Sequence, residues 1–404
     1  MSLSELLSKK IDKLTKKNQG IYFTPPNIVI QNIEILAPFL SNIRRILEPS
    51  CGSGEFIQSI NQYCCHVEIV GIERNNEIFD TISSLLPSLI KPENHMKLYH
   101  DDYLNNKPEM LFDLIIGNPP YFVMKKGDVS KEYYPYFDGR PNIFILFIIK
   151  SLNLLENNGI LSFILPKNFL NCLYYNKIRE YIISRYTIIT ITVCHGEFME
   201  TKQETIIFII QNKKDDAKLN NSYFIVINGY TIFGTSENIQ KIVELYQHST
   251  SLSSLNCIVN VGNVVWNQVK PLLTDDSTKT RLIYSSDITS GTFQPKVYSC
   301  DEKKNYIVKE GNRDPVLLIN RGYGVGNYKF EYCLFDEDID YLVENHLICI
   351  KPKNELHRDE LILLYNQIIQ SLTNEKTEQF IQLYFGNNAI NTTELREILP
   401  IYID

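Results

Sequence analysis

Residues 112–122 read Phe-Asp-Leu-Ile-Ile-Gly-Asn-Pro-Pro-Tyr-Phe. Phe112–Ile116 is an apolar run stopped by a glycine, the pattern of a buried strand. It ends in Asn118-Pro119-Pro120-Tyr121. Two consecutive prolines fix φ twice, remove two backbone donors and push Asn118 and Pro119 towards extended geometry. What remains is a rigid edge rich in acceptors, with an aromatic ring beside it. Such an edge suits a flat group bearing NH2. The Asn118 side-chain oxygen and the Pro119 carbonyl accept its two hydrogens, and Tyr121 stacks on its face. A proline-rich turn behind a core strand is the plainer reading of these four residues, and the upstream sequence weighs against it.

Upstream, Ile43–Leu47 predicts a strand and Phe56–Tyr63 a helix. Between them lies Glu48-Pro49-Ser50-Cys51-Gly52-Ser53-Gly54-Glu55. Strand, Gly-x-Gly turn and helix open a nucleotide-type α/β fold, in which the glycines let the backbone approach a ligand. The third glycine of the dinucleotide fingerprint is missing, and the Glu48-Pro49 pair and Phe56 point away from NAD. Val67–Ile72 predicts a second strand ending in Glu73. An acidic residue about 20 positions past the glycine turn suits a bidentate contact to ribose hydroxyls. A helix follows at 76–86. A short third strand at Lys97–Tyr99 leads into Asp101-Asp102-Tyr103. An aspartate there can accept from an adenine amino group, and Asp101 and Asp102 compete for that role.

At the N-terminus, Leu3, Leu6, Leu7, Ile11 and Leu14 recur at helical spacing, which predicts one amphipathic helix over 2–17. Lys9, Lys10, Lys13, Lys16 and Lys17 read as its solvated face. Gly20 breaks it. Thr24 can cap a second helix beginning at Pro25 or Pro26, and a capped N-terminus can hold a carboxylate.

Beyond the Asn118 tip, residues 123–140 form a polar loop whose lysines and tyrosines suit contact with nucleic acid. Pro141–Leu155 predicts a helix carrying Phe144 and Phe147. An Asn157-Asn158-Gly159 turn then leads into strands at Ile160–Leu165, Ile188–Val193 and Thr205–Ile210, with a loop containing Phe198 between the last two. Helices separate the early strands and the last two pair through a loop. The expected fold is a Rossmann-like α/β unit, a mostly parallel seven-stranded sheet with an antiparallel pair at one edge. It spans 1–240. After a Ser/Thr-rich linker around 234–256, the texture changes to short strands and then helices at 358–371 and 375–383, a separate α+β domain over 250–404.

The chain has 404 residues, 44% hydrophobic and 11% aromatic, enough for two full cores. A net charge of −7 gives no global sign of a nucleic-acid partner, so any DNA-facing surface is local. Nine cysteines without a Cys-x-x-Cys pair suit reduced thiols, no zinc framework and an intracellular, cytoplasmic location. No run is long enough to span a bilayer and no leader is visible.

In order along the chain stand Thr24-Pro25-Pro26, Glu48-Pro49-x-x-Gly52-x-Gly54-x-Phe56, Glu73, Asp102 and Asn118-Pro119-Pro120-Tyr121. Together they resemble the gamma-class DNA adenine methyltransferases related to the TaqI methylase. The resemblance covers about residues 20–210, and more loosely the C-terminal half, which in that family recognises the DNA target. It implies S-adenosylmethionine as cofactor, no metal, and methyl transfer to the exocyclic amine of a flipped adenine in double-stranded DNA. Thr24 would meet the methionine carboxylate. Glu48, Pro49, Gly52, Gly54 and Phe56 would line the methionine and ribose end, and Glu73 would hold the ribose hydroxyls. Asp102 would accept from the adenine amine beside Tyr103, and Phe147 would pack on the adenine. Asn118, Pro119, Pro120 and Tyr121 would form the catalytic tip, Asn118 also touching the cofactor, with Phe198 stacking on the flipped base opposite Tyr121. Arg313, Arg321, Tyr323 and Lys329 are candidates for DNA contact. A monomer is expected, with a cognate restriction endonuclease as a further partner. Protein-glutamine and RNA-base methyltransferases with a similar tip are the enzymatic alternatives, and a DNA-binding module with a dead site is the non-enzymatic one.

Overall fold

A computed structural model describes residues 3–196, 198, 203–213, 222–296, 298, 302–320, 331–385 and 390–403. The chain divides into two compact units, Met1–Ile239 and Gln240–Asp404, and the division falls inside the helix Ser236–Tyr246.

Unit 1 opens with two helices, α1 (Leu3–Lys10) and α2 (Lys13–Gln19), where the apolar spacing predicts one. Asp12 is the reason: its carboxylate accepts from the Leu14 and Thr15 N–H groups and starts a new helix. Then come α3 (Pro26–Leu36), β1 (Arg45–Glu48), α4 (Glu55–Tyr63), β2 (Glu68–Glu73), α5 (Asn76–Leu85), β3 (His95–His100) and β4 (Phe112–Gly117). They are followed by α6 (Ile143–Asn153), β5 (Leu155–Pro166), α7 (Asn176–Arg185), β6 (Thr187–Val193) and β7 (Thr205–Gln211). The sheet runs β3-β2-β1-β4-β5-β7-β6. All neighbours are parallel except β7, which lies antiparallel between β5 and β6. The Asn157-Asn158-Gly159 turn expected from the sequence lies inside β5, with Asn158 at φ 64 and a register shift against β4.

The sheet is sandwiched, so its central strands lose alternation and become continuous apolar runs: six of the seven residues of β7 are buried. On one face α6 and α7 pack over Phe163, Leu165 and Phe208; on the other, α3, α4 and α5 pack over Ile46, Ile69 and Ile164. Helix α6 is buried almost all round, so its sequence Ile-Phe-Ile-Leu-Phe-Ile-Ile has no polar stripe. Lys150 is the cation set into it.

The chain leaves β1 towards β2 and β3, then returns to lay β4 on the other side of β1. That reversal opens a crevice at the carboxyl ends of β1 and β4, where ligands of such sheets bind. Here it brings the Glu48–Gly54 turn beside the Asn118 tip.

Unit 2 contains a four-stranded antiparallel sheet in which Val316–Asn320 lies between Leu347–Pro352 and Tyr332–Phe335, with Cys257–Val261 beyond Leu347–Pro352. A second four-stranded sheet includes Thr280–Ile283 paired parallel to Tyr341–Val343. Helices Arg358–Leu372, Glu375–Tyr384 and Thr392–Glu397 follow. Gly262 is tightly constrained, because a Cβ there would overlap the backbone carbonyls of Val343 and Glu344. Backbone cannot swing away as a flexible side chain could, so Gly262→Ala should destabilise this unit by about 2–3 kcal/mol. Urea denaturation checks this, the expected result being a lower midpoint at unchanged slope.

Candidate active site

The cleft at the ends of β1 and β4 holds about 720 Å³ of space that is continuous with solvent. Its walls come from four places: the segment 19–23, the turn after β1, the ends of β2 and β3, and the tip with α6.

Asn118 is the best-defined polar group of the site. Its Nδ2 donates to the Tyr22 carbonyl at 3.2 Å and to Thr24 Oγ1 at 3.1 Å. A carbonyl cannot donate, so the amide has only one orientation here and Oδ1 points the other way. The Asn118 carbonyl accepts from Ser50 Oγ at 3.2 Å. No hydrogen bond reaches the Pro119 carbonyl among the described residues. The Thr24 hydroxyl is therefore committed to the tip. It does not cap α3, whose N-cap position is Pro25 with no side-chain bond.

Asn118 Oδ1 is occupied. The Tyr121 hydroxyl lies 2.5 Å from it and 2.8 Å from the Ile164 carbonyl. One proton serves two acceptors, and burial pushes the phenol well above its ordinary pKa, so it stays a donor. Tyr22 packs on Tyr121 with ring centroids 6.1 Å apart and planes 27° from parallel. Gly20 makes this approach possible. It sits at φ 65, and a Cβ there would lie 2.9 Å from the Tyr121 nitrogen.

Glu73 is 8% exposed, and both its oxygens are engaged: Oε2 accepts from the Gly52 N–H at 2.9 Å and Oε1 from the Asn75 N–H at 2.7 Å. It thus ties the glycine turn to the start of α5, with one lone pair on each oxygen left for a ligand. Asp101 and Asp102 both line the cleft. Asp101 accepts from the Asp102 N–H and the Asn106 side chain. Asp102 accepts from the Leu104 N–H through Oδ1, and its Oδ2 lies 3.7 Å from Arg74. Tyr103 is buried against Phe147, ring centroids 5.0 Å apart, and both rings reach the cleft.

Glu48 is buried beside the cleft, and its Oε2 has no hydrogen-bond partner. Burial raises its pKa well above the usual carboxylate range, and the nearby charges of Glu73 and Glu55 push the same way. The Ile57 N–H, in the first turn of α4, pulls it down. A folded-state pKa above the unfolded one favours folding below the usual value of 4.5 and loses that contribution as pH rises through the folded value. The melting temperature of the ligand-free protein should therefore fall as pH rises from about 4.5, and Glu48→Gln should flatten that fall. Differential scanning fluorimetry across pH checks it.

Phe198 does not join the site. It is 6% exposed within the core that also contains Ile28 and Phe23. Phe56 is likewise buried, in that same core beneath the glycine turn. The ring facing Tyr121 is Tyr22, which the sequence pattern did not single out. The only signal for it was an aromatic pair, Tyr22-Phe23, directly before Thr24. In unit 2, Arg313 is paired with Asp338 at 3.2 Å and Asp340 at 3.7 Å. Arg321, Tyr323 and Lys329 lie outside the described residues.

The residues fit S-adenosylmethionine. An unpartnered buried carboxylate oxygen beside Glu73 suits a cationic ligand, two half-free Glu73 oxygens suit a diol, and Phe147 with Asp101 and Asp102 suits an adenine.

A mostly parallel seven-stranded sheet in this order, with a glycine turn after its first strand, is the Rossmann-like fold of S-adenosylmethionine-dependent methyltransferases. Residues 10–199 match the Eco57I restriction-modification methylase family. The chain is 26% identical over 403 residues to the type II methyltransferase M.CvrRI of Paramecium bursaria Chlorella virus XZ-6E, covering 98% of this chain and 97% of that one. It is also 26% identical over 406 residues to the modification methylase CviBIII of Paramecium bursaria Chlorella virus NC1A, covering 98% and 96%. A cryo-EM structure of a DrdV–DNA complex superposes on 96% of this chain and 57% of that one, with a TM-score of 0.53 and 12% identity, a likeness of fold alone. The chain is a DNA methyltransferase with S-adenosylmethionine as its cofactor, similar to the restriction-modification methylases of the gamma class. Among the described residues no helix is long and apolar enough to cross a membrane.

Proposed function

We propose that the protein methylates the exocyclic amine of adenine in double-stranded DNA, acting on a base turned out of the helix. The observation that carries this reading is the fixed orientation of the Asn118 amide, with the open Pro119 carbonyl next in the chain. Two acceptors on a rigid proline edge match the two hydrogens of an NH2 group. They draw the nitrogen towards tetrahedral geometry and compensate the charge that develops on it. The cofactor supplies an electrophilic methyl group on a sulfonium. The nitrogen–carbon bond forms as the carbon–sulfur bond breaks, and the amine then loses a proton to solvent. Thr24, Glu48, Glu73, Asp102 and Phe147 are the residues we assign to holding the cofactor.

The Tyr121 phenol must leave Asn118 Oδ1 before a base can take its place. Tyr121 and Tyr22 then form the two walls of the base slot, the role the resemblance gave to Tyr121 and Phe198. Tyr121→Phe keeps the ring and removes the competing donor, so its kcat/KM should stay within about threefold of the parent. Tyr121→Ala should lose about 10- to 100-fold, the stacking contribution of one base.

The test of the whole reading is transfer of labelled methyl groups to unmodified duplex DNA, with identification of the product nucleoside. Methylated adenine supports it. Label in cytosine, in RNA or in a release-factor peptide overturns it. The names of the relatives further support a cognate restriction endonuclease. Protection of methylated DNA from that nuclease is the corresponding check.

A further inference from the structure

Lys150 has no part in the site described above, and α6 is otherwise almost wholly apolar. Burying an ammonium costs free energy unless acceptors surround it. Its Nζ donates to three backbone carbonyls of one short loop: those of Tyr103 and Asn106, and that of Leu104 at 3.1 Å. The same Nζ stands 4.8 Å from the centroid of the Tyr103 ring. Burial lowers its pKa, while the charges of Asp102 and Asp101 raise it. The next residue, Ser151, bonds the Tyr103 hydroxyl at 2.9 Å, and Phe147, one turn earlier, packs on the Tyr103 ring. One helix therefore grips the loop that follows β3 by its backbone, its ring and its hydroxyl.

We propose that Lys150 is a positioning residue for cofactor recognition: by gathering the carbonyls of Tyr103, Leu104 and Asn106 it sets the Asp101–Asp102 edge against the adenine amino group of the cofactor. A compact ammonium with three rotatable donors suits three converging carbonyls, and a planar guanidinium does not. Carboxylates accept and do not donate, so the edge selects an amino group over a carbonyl. The inference rests on the reading that these aspartates face the cofactor adenine.

Calorimetric binding of S-adenosylhomocysteine and its deaminated analogue S-inosylhomocysteine tests it, on the full chain. The analogue presents an oxygen where adenine presents NH2. The parent protein should prefer the adenosyl compound. Lys150→Met should bind that compound about tenfold more weakly, bind the inosyl compound almost as before, and so lose most of the preference. Lys150→Arg should fall between, and it serves in place of Lys150→Met if that variant does not fold. Equal weakening of both ligands, or a lowered melting temperature with the preference intact, overturns the proposal and leaves Lys150 a structural clamp. A parent protein that binds the adenosyl compound without preference removes the reading of Asp101 and Asp102. One that binds neither removes the reading of the cleft itself.

Discussion

Asn118→Ala should lower the rate of methyl transfer by about 10²- to 10³-fold while leaving cofactor affinity within about threefold. In the proposed reaction the side chain supplies one of two acceptors aimed at the amine, and no neighbour replaces it. The Thr24 hydroxyl and the Tyr22 carbonyl, its two anchors, would each lose a donor, which bears on the tip and not on the cofactor. The loss is therefore in the chemical step. Single-turnover transfer under saturating cofactor, with binding followed separately, distinguishes the two. An Asn118→Ala enzyme that still methylates at a tenth of the parent rate would sink the account of the tip. Asn118→Asp provides a second reading. A carboxylate presents no donor to the Tyr22 carbonyl, so the orientation shown here is lost along with the neutral acceptor.

The second large effect belongs to Glu73. Two backbone N–H groups, of Gly52 and Asn75, converge on its carboxylate. Glu73→Ala leaves both without a partner and removes the acceptors for a ribose diol. Cofactor affinity should fall by on the order of 10²-fold, one to three kcal/mol for each buried donor left unsatisfied being shared between folding and binding. Glu73→Gln should be nearly as damaging. An amide carries one acceptor, so its NH2 group would face one of the two N–H donors. A conservative swap that behaves like a truncation is the signature of this clamp, and isothermal titration with the cofactor measures it. Burial raises the Glu73 pKa, offset in part by the N–H groups of Asn75 and Gly52. The acceptor form is lost as pH falls through that raised value. Cofactor affinity should therefore weaken on acidification at a pH above the ordinary glutamate value of 4.5.

Much of unit 1 is written locally. Apolar runs of strand length, the Gly52–Gly54 turn, the helix behind it and the two prolines of the tip each depend on neighbours in sequence. That is why the strands lie where the periodicity puts them, within a residue or two, except β5, which begins at Leu155 and not at Ile160. The order of elements along the chain is legible too, whereas the sheet reversal that creates the crevice is a matter of strand order in the fold. The single predicted N-terminal helix failed for an equally local reason. Asp12 is a strong cap, and a capping carboxylate outweighs the continuity of an apolar stripe.

Tertiary structure alone decided which side chains meet. Thr24 and Asn118 are 94 positions apart, and their bond exists because α3 begins where β4 ends, at the same edge of the sheet. Local pattern offered Thr24 a helix cap; the fold gave it the Asn118 amide. Phe198 looked free to stack on a base and is instead enclosed in the core beneath α3, while Tyr22 took the position facing Tyr121. An aromatic residue in a loop carries no periodicity, so its sequence cannot say whether core or cleft claims it. Lys150 is the same case reversed. In sequence it is one cation in an apolar helix, and only the return of the loop after β3 supplies the three carbonyls that allow an ammonium to be there. Periodicity determines which residues form an element. The partners of a buried polar atom are fixed by which elements the topology makes neighbours.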